Sequence, residues 1–159
     1  MITANEDKFL EMAIELSRAG MEQGKGGPFG CVIVHDSRVI AEGFNMVIAA
    51  NDPTAHAEIV AIRKACQVLK NFQLRDCEIY ASCEPCPMCL GAIYWSRPAR
   101  VIYANTRLDA AAIEFDDDFI YREMNTEIRR RKIQFIHHPH PGALKVFDDW
   151  KKMANKKLY

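Results

Sequence analysis

The chain has 159 residues, enough for one domain with its own core, and its 21 basic and 21 acidic residues give a formal net charge of zero. A polynucleotide-binding protein usually carries excess positive charge, so this balance argues against a nucleic-acid partner. The polar N-terminus does not resemble a signal peptide, and no apolar run reaches membrane-spanning length. Six cysteines, three of them clustered, do not form the pattern of a disulfide framework, so we expect a cytoplasmic protein.

The first third of the chain predicts a helix, a hairpin and a second helix. Apolar residues recur at helical spacing over residues 5–20. Two apolar segments, 31–35 and 39–41, flank a three-residue turn and predict a β-hairpin. Asn51 and Asp52, followed by Pro53, predict the next helix start, because proline costs least at the first helical position.

The rest of the chain alternates strands with helices. A short strand over 78–81 leads to the cysteine cluster, and a helix follows that cluster. The remaining predicted elements are a strand at 100–104, helical segments within 108–131, a last strand at 133–136 and an amphipathic helix over 142–157. Such alternation predicts parallel strand pairing and an α/β sandwich.

Two short motifs predict a zinc site. His56 is followed two residues later by Glu58, and Cys86 and Cys89 lie in the run Pro85-Cys86-Pro87-Met88-Cys89. One histidine and two cysteines leave one tetrahedral position for water, which is the arrangement of catalytic zinc. Glu58 supplies the proton carrier that such a water needs. Together the motifs form the signature of zinc-dependent nucleobase deaminases.

The cysteine spacing is compatible with more than one kind of metal site. Cys86 and Cys89 are three apart and share one helix face, and a helix N-terminus favours thiolate over thiol. The run Cys83-x-x-Cys86-x-x-Cys89 also begins like an iron–sulfur motif, but position 93 is isoleucine, where that motif needs a further cysteine and proline. The proline before Cys86 selects the 86/89 pair and leaves Cys83 as a buried thiol. We expect two helix N-termini to point at one metal.

The chain resembles the small bacterial guanine deaminases of the cytidine-deaminase fold. The resemblance covers nearly the whole length and rests on these segments: Gly26-Gly27-Pro28-Phe29-Gly30, residues 51–66, residues 82–95, Phe115-Asp116-Asp117 with Phe119-Ile120-Tyr121, and Ala154-Asn155-Lys156-Lys157 with Tyr159. It implies a three-layer α/β/α sandwich with a mixed five-stranded sheet, in one domain spanning 1–159. It also implies a homodimer in which the segment from about 140 to 159 crosses onto the partner subunit.

The resemblance further implies hydrolysis of guanine to xanthine and ammonia in purine metabolism, with one Zn²⁺ per subunit. The implied roles are zinc ligation by His56, Cys86 and Cys89, proton transfer by Glu58, a second carboxylate at Asp117, purine hydrogen bonding by Asn45, apolar walls at Phe29 and Trp95, and closure of the partner's pocket by Tyr159. One departure is Glu114, which stands where a small residue is expected and adds a charge beside Asp117.

Three alternatives remain open from the sequence. A tRNA adenosine deaminase shares both zinc motifs, but the only basic run, 129–132, adjoins an acidic stretch in a chain of zero net charge. Free cytosine, adenine or an aminotriazine could replace guanine as substrate. The zinc could also be structural, in a binding module rather than an enzyme, although such a site needs no Glu58 and needs a fourth ligand.

Overall fold

The computed structural model describes residues 3–158, and no helix in that range is both long and apolar enough to span a membrane. The chain divides into two compact units, 1–117 and 118–159. The first unit contains α1 (Ala4–Glu22), β1 (Gly30–His35), β2 (Arg38–Phe44), α2 (Val47–Ala50), α3 (Ala57–Leu69), β3 (Cys77–Cys83), α4 (Pro87–Ser96), β4 (Arg100–Asn105) and α5 (Arg107–Ala111). The second contains α6 (Asp118–Asn125), a 3₁₀ turn (Ile128–Arg130) and α7 (Pro141–Lys152).

The sheet is mixed and has the strand order β2-β1-β3-β4. Strand β1 is antiparallel to both of its neighbours, whereas β3 and β4 are parallel. The predicted α/β class and the N-terminal hairpin are therefore confirmed. The prediction of five strands is wrong, because the sheet has four strands within the described range. Residues 133–136 are not a strand, and the side chains of Ile133 and Ile136 are exposed. The three-layer arrangement of the whole chain stays a prediction.

Helices pack on both faces of strand β1, because successive side chains of the strand point to opposite faces of the sheet. Cys31 and Ile33 belong to a buried cluster that includes the inner face of α3. Val32 and Val34 belong to a second cluster with α1 and Tyr80. Full burial of each Val or Ile side chain contributes roughly 1.5–3 kcal/mol. The alternation therefore fixes the register of the strand that supports both helices.

Three predicted helix boundaries differ from the structure. Helix α3 begins at Ala57, not at Pro53, because the Asp52 carboxylate accepts hydrogen bonds from the Thr54 N–H and hydroxyl at 2.8 and 2.7 Å. This local turn occupies the segment that the sequence assigned to the helix. The helical stretch predicted within 108–131 is divided into α5, α6 and a 3₁₀ turn. The last helix ends at Lys152 rather than at 157.

An ionic network joins the start of α1 to the sheet. Thr3 and Glu6 form a capping box, in which the Thr3 N–H donates to the Glu6 carboxylate at 2.5 Å. Arg100 pairs with Glu6 and also contacts Glu78 at 2.6 Å, and the Tyr80 hydroxyl donates to Glu78 at 2.6 Å. The hydrogen bonds from Thr3, with a smaller contribution from Arg100, lower the pKa of Glu6 to about 2.

This lowered pKa predicts a pH-dependent contribution to stability. Because folding favours ionised Glu6, its stabilisation is present above the ordinary pKa of 4.5 and is lost as the pH falls to about 2. We therefore expect Glu6→Gln to destabilise the protein near neutral pH and to match the wild type near pH 2. Urea unfolding of both proteins across this range measures the difference. Glu11→Gln, at an exposed position of the same helix, is the control. A Glu6→Gln deficit that does not change with pH would contradict the assignment.

Candidate active site

Two of the predicted zinc ligands are N-cap residues of different helices. The His56 carbonyl accepts the first hydrogen bond of α3, from the Val60 N–H at 3.0 Å, and the Cys86 carbonyl accepts from the Leu90 N–H at 2.8 Å. Cys89 follows in the first turn of α4. The expected convergence of two helix N-termini is therefore present. Their unpaired N–H groups carry partial positive charge, which stabilises thiolates.

The three side chains converge tightly enough to hold a metal ion. His56 Nδ1 lies 3.5 Å from Cys86 Sγ and 3.6 Å from Cys89 Sγ, and all three atoms lie within 4.8 Å of one another. A nitrogen and a sulfur that bind one tetrahedral Zn²⁺ at their usual bond lengths lie about 3.6 Å apart. The two observed N–S separations match this value, so the donor set and its spacing fit zinc.

The ionisation of these groups is shaped by their contacts with one another. A hydrogen bond with Cys89 and another with the His56 ring lower the pKa of Cys86 to about 4, although burial opposes them. The bond with Cys86, together with burial, raises the pKa of Cys89, and a hydrogen bond to Cys86 raises the pKa of His56. Without a metal the three groups therefore share protons. A bound cation replaces those protons and neutralises the thiolates.

Gly43 allows the first turn of α3 to reach this position. A Cβ atom on Gly43 would lie 2.4 Å from the Ala57 carbonyl oxygen and 2.8 Å from the Ala61 nitrogen. Only glycine permits this contact between β2 and α3, the helix whose N-cap is His56. The backbone of β2 thus sets how deeply the histidine end of α3 enters the site.

The segment before Cys86 is tied to the end of β4. The Glu84 N–H donates to the Asn105 carbonyl at 2.8 Å, and the Glu84 carboxylate accepts from the Arg107 N–H at 3.0 Å. Thr106 and Asp109 form a capping box that starts α5 next to this contact. The contact between Glu84 and the end of β4 is not predicted from the sequence, although the Thr106-x-x-Asp109 spacing is a helix-start signal.

Glu58 is buried beside the ligands, in the first turn of α3, and only 7% of it is exposed. Burial raises the pKa of Glu58, and the charge of Cys86 raises it further, whereas contacts with Cys89 and His56 lower it. A carboxylate whose pKa is raised accepts a proton more readily than an ordinary carboxylate, as a general base must. Its position and environment therefore suit a proton carrier.

Cys83 lies near the site but outside the ligand group. The group of potential metal ligands found among residues 3–158 consists of His56, Cys86 and Cys89. The Cys83 thiol instead contacts the Thr106 carbonyl at 3.6 Å, and burial raises the pKa of Cys83 to about 11. It therefore remains a protonated thiol, in agreement with the pair that the Pro85 position selects. All six cysteines are free.

Asn45 and Phe29 are joined where β1 begins and β2 ends. The Asn45 N–H donates to the Phe29 carbonyl at 3.0 Å, and Asn45 is buried. Its side-chain oxygen accepts from the Val47 N–H at 3.1 Å, so the amide NH₂ is the part that this contact leaves free to donate.

The remaining predicted site residues differ in their surroundings. Asp117 is partly buried at the end of the first unit; desolvation and the charge of Cys86 raise its pKa, and Arg107 lowers it. The charge of Cys86, a predicted zinc ligand, therefore acts on Asp117. Trp95 lies in the last turns of α4 with 64% of its surface exposed, and its role as a ring wall stays a prediction. Tyr159 lies outside the described residues.

Comparison with known proteins assigns this site to a family. Residues 3–105 match the model of the cytidine and deoxycytidylate deaminase zinc-binding region. The chain is 54% identical to guanine deaminase of Bacillus subtilis (strain 168) over 155 residues, which are 98% of this chain and 99% of that protein. The crystal structure of that B. subtilis enzyme superposes with a TM-score of 0.94 at 54% identity, covering 96% of this chain and 98% of that chain.

A second relative matches less of the chain. The tRNA-specific adenosine deaminase of Haemophilus influenzae is 38% identical over 119 residues, 72% of this chain and 68% of that protein. The three-ligand site and the adjacent carboxylate, together with these matches, identify a zinc-dependent hydrolase. The protein belongs to the cytidine and deoxycytidylate deaminase family, with zinc as its cofactor.

The ligand set predicts how two cysteine variants will differ. Cys89→Ala should reduce zinc affinity by more than the roughly 10–100-fold lost when a supporting residue is removed, because it deletes a ligand outright. Cys83→Ala should retain stoichiometric zinc. Zinc content after dialysis and titration with a chromogenic chelator measure both. Stoichiometric zinc in Cys89→Ala, with its loss in Cys83→Ala, would contradict the assignment and make Cys83 the ligand.

Proposed function

We propose that this protein hydrolyses guanine to xanthine and ammonia. The observation that carries the proposal is similarity to B. subtilis guanine deaminase over 98% of the chain. The family model ends at residue 105, and the tRNA-specific relative matches 72% of the chain. Similarity that extends beyond the shared zinc region therefore supports a free purine base rather than an RNA substrate. The zero net charge points the same way.

Proton transfer in this reaction falls to Glu58. When bound, zinc supplies a Lewis acid that lowers the pKa of a coordinated water to about 7. The Glu58 carboxylate accepts a proton from the attacking water and delivers it to the ring nitrogen next to C2. It then transfers the second proton of that water to the exocyclic amine, which leaves as ammonia. Water is thereby consumed, the C2–amine bond breaks, and xanthine retains the oxygen.

Three further residues orient the purine in this proposal. The Asn45 NH₂ group donates to an acceptor on the base, and Phe29 forms an apolar wall against the ring. Asp117 is a second carboxylate for the exocyclic amine, and the effect of the Cys86 charge on its pKa supports this position. Trp95 forms another part of the wall.

The proposal extends to a homodimer in which the segment from about 140 to 159 crosses onto a partner. Helix α7 exposes apolar side chains, including Leu144, Phe147 and Trp150 at 68%, 70% and 40%. Burial of such a face against another chain is favourable by roughly 25 cal/mol per Å². Tyr159 then closes the partner's pocket.

We also propose a cytoplasmic location. Six free cysteines support it, since disulfides are rare in the cytoplasm.

A substrate panel tests the reaction. Ammonia release by the zinc-loaded protein is measured with guanine, guanosine, adenine, cytosine and a tRNA anticodon hairpin. We expect guanine to be turned over well ahead of the others. Turnover of the hairpin with inactive free bases would overturn the substrate proposal while retaining the zinc chemistry.

The matched variant in this panel is Glu58→Gln, which keeps the shape of the side chain but not its proton. It should retain zinc and lose guanine turnover by about 10²–10⁴-fold, the usual contribution of one positioned proton carrier. Wild-type turnover in Glu58→Gln would remove Glu58 from the mechanism. If neither the wild type nor Glu58→Gln turns over any substrate of the panel while zinc is bound, the zinc site is structural.

Subunit complementation tests the crossed segment. Glu58→Gln and Tyr159→Ala chains are each expected to be inactive alone. If Tyr159 closes the partner's pocket, a mixed dimer contains one site with both an intact Glu58 and a tyrosine from its partner. Co-expression from differently tagged copies, followed by double affinity purification, should then recover activity well above either parent. A purified mixed dimer that stays inactive would contradict the crossed arrangement.

A further inference from the structure

A helix-ending turn after α5 directly precedes the segment that carries Asp117. The Phe115 N–H donates to the Ala110 carbonyl and the Glu114 N–H to the Ala111 carbonyl, both at 3.1 Å. Glu114 has a φ of 71°, in the left-handed region. This pattern is the Schellman motif, whose left-handed residue is usually glycine. A small residue is therefore expected at this position for conformational reasons, and the turn forms with Glu114 nonetheless.

Phe115, the next residue, packs against the loop that precedes β1. A Cβ atom on Gly27 would lie 2.7 Å from Phe115 Cζ and 3.0 Å from Cε1, so any larger residue at position 27 would displace the Phe115 ring. The rings of Phe115 and Phe29 meet edge to face, with centroids 5.0 Å apart and an interplanar angle of 87°. Such aromatic pairs contribute beyond the burial of their area. The contact is therefore specific in shape and in orientation.

This contact joins the two sides of the proposed purine site. Phe29 is hydrogen-bonded through its carbonyl to Asn45, and Asp117 lies two residues after Phe115. The Phe115 ring is still 45% exposed, so it contributes less to the core than a buried phenylalanine. Its packing is instead on Gly27 and Phe29, directly before the acidic residues Asp116 and Asp117.

We propose that Phe115 is a positioning residue, whose ring, packed on Gly27 and Phe29, holds the Asp117 segment and the aromatic wall in place for the purine. The inference rests on the proposed guanine deamination. Removal of the ring releases both sides at once, and displacement of a reacting group by about 1 Å can cost on the order of 10²-fold in rate.

Kinetics and amide exchange test the role together. Phe115→Ala should raise KM and lower kcat for guanine, with a combined loss of about 10–100-fold in kcat/KM at unchanged zinc content. Amide hydrogen exchange of residues 112–117 should become faster. Phe72→Ala is the control, because Phe72 is similarly exposed (48%) and follows α3 in a turn. It should leave all these quantities unchanged.

A double-mutant cycle isolates the contact. Gly27→Ala should impair kcat/KM in the wild type, because the added methyl group collides with the Phe115 ring. In a Phe115→Leu background, where Cζ is absent, the same substitution should be less harmful. Phe115→Leu alone should retain more activity than Phe115→Ala, since part of the apolar contact remains.

Several outcomes would overturn the inference. One is unchanged kcat and KM in Phe115→Ala; another is an equal effect of Gly27→Ala in both backgrounds. A lower melting temperature with unchanged kinetics would also contradict it, because that result indicates a purely structural ring. If the wild type does not deaminate guanine, the proposed function fails by itself. Unchanged exchange at residues 112–117 in Phe115→Ala would then separately refute the positioning role of Phe115.

Discussion

The close approach of two helix N-termini is the constraint on which the site depends. His56 and Cys86 are thirty residues apart in the chain, yet their ligand atoms lie 3.5 Å apart. Each is the N-cap of a helix. The first turn of α3 packs closely on the backbone of β2 at Gly43, and the segment before Cys86 is bonded to Asn105 through the Glu84 N–H. The ligands are therefore held by the backbone before any metal binds. A preformed site loses less conformational entropy when the ion enters.

The same geometry places opposing demands on Glu58. Its position in the first turn of α3 favours the carboxylate, because the helix N-terminus is partly positive. Burial disfavours the charge, and the net direction of its pKa is upward, so burial dominates. A carboxylate whose pKa is raised in this way accepts a proton more readily than an exposed one. Burial of Glu58 therefore serves the chemistry at the expense of stability.

The sequence was sufficient to group the three candidate ligands because each motif is local. His56 with Glu58, and Cys86 with Cys89, lie within single helix starts, so spacing alone identifies them. Helix boundaries were predicted less well. The turn at Asp52 takes the place of the expected first residues of α3, and the spacing of apolar residues does not reveal such a turn. The separation of Cys83 from the candidate ligands could be proposed from Pro85, but only the fold shows which three side chains converge.

Contacts between distant segments could not be read from the chain. The close approaches at Gly43 and Gly27 depend on how β2, α3 and the Phe115 segment pack, and glycine alone carries no such information. The fifth strand was predicted from a short apolar run, but pairing needs an available sheet edge as well as β propensity. The resemblance to a family supplied Asp117, Asn45 and Tyr159, none of which residue patterns alone would have selected.

The most direct test of the account is the coordination of zinc in the loaded protein, measured by X-ray absorption at the zinc edge. The account requires two sulfur neighbours at about 2.3 Å and two nitrogen or oxygen neighbours at about 2.0–2.2 Å, one of which is exchangeable solvent. A solvent-derived neighbour that is displaced by a small anionic inhibitor would confirm the open position. A shell of three sulfurs, or four protein ligands with no exchangeable neighbour, would contradict it.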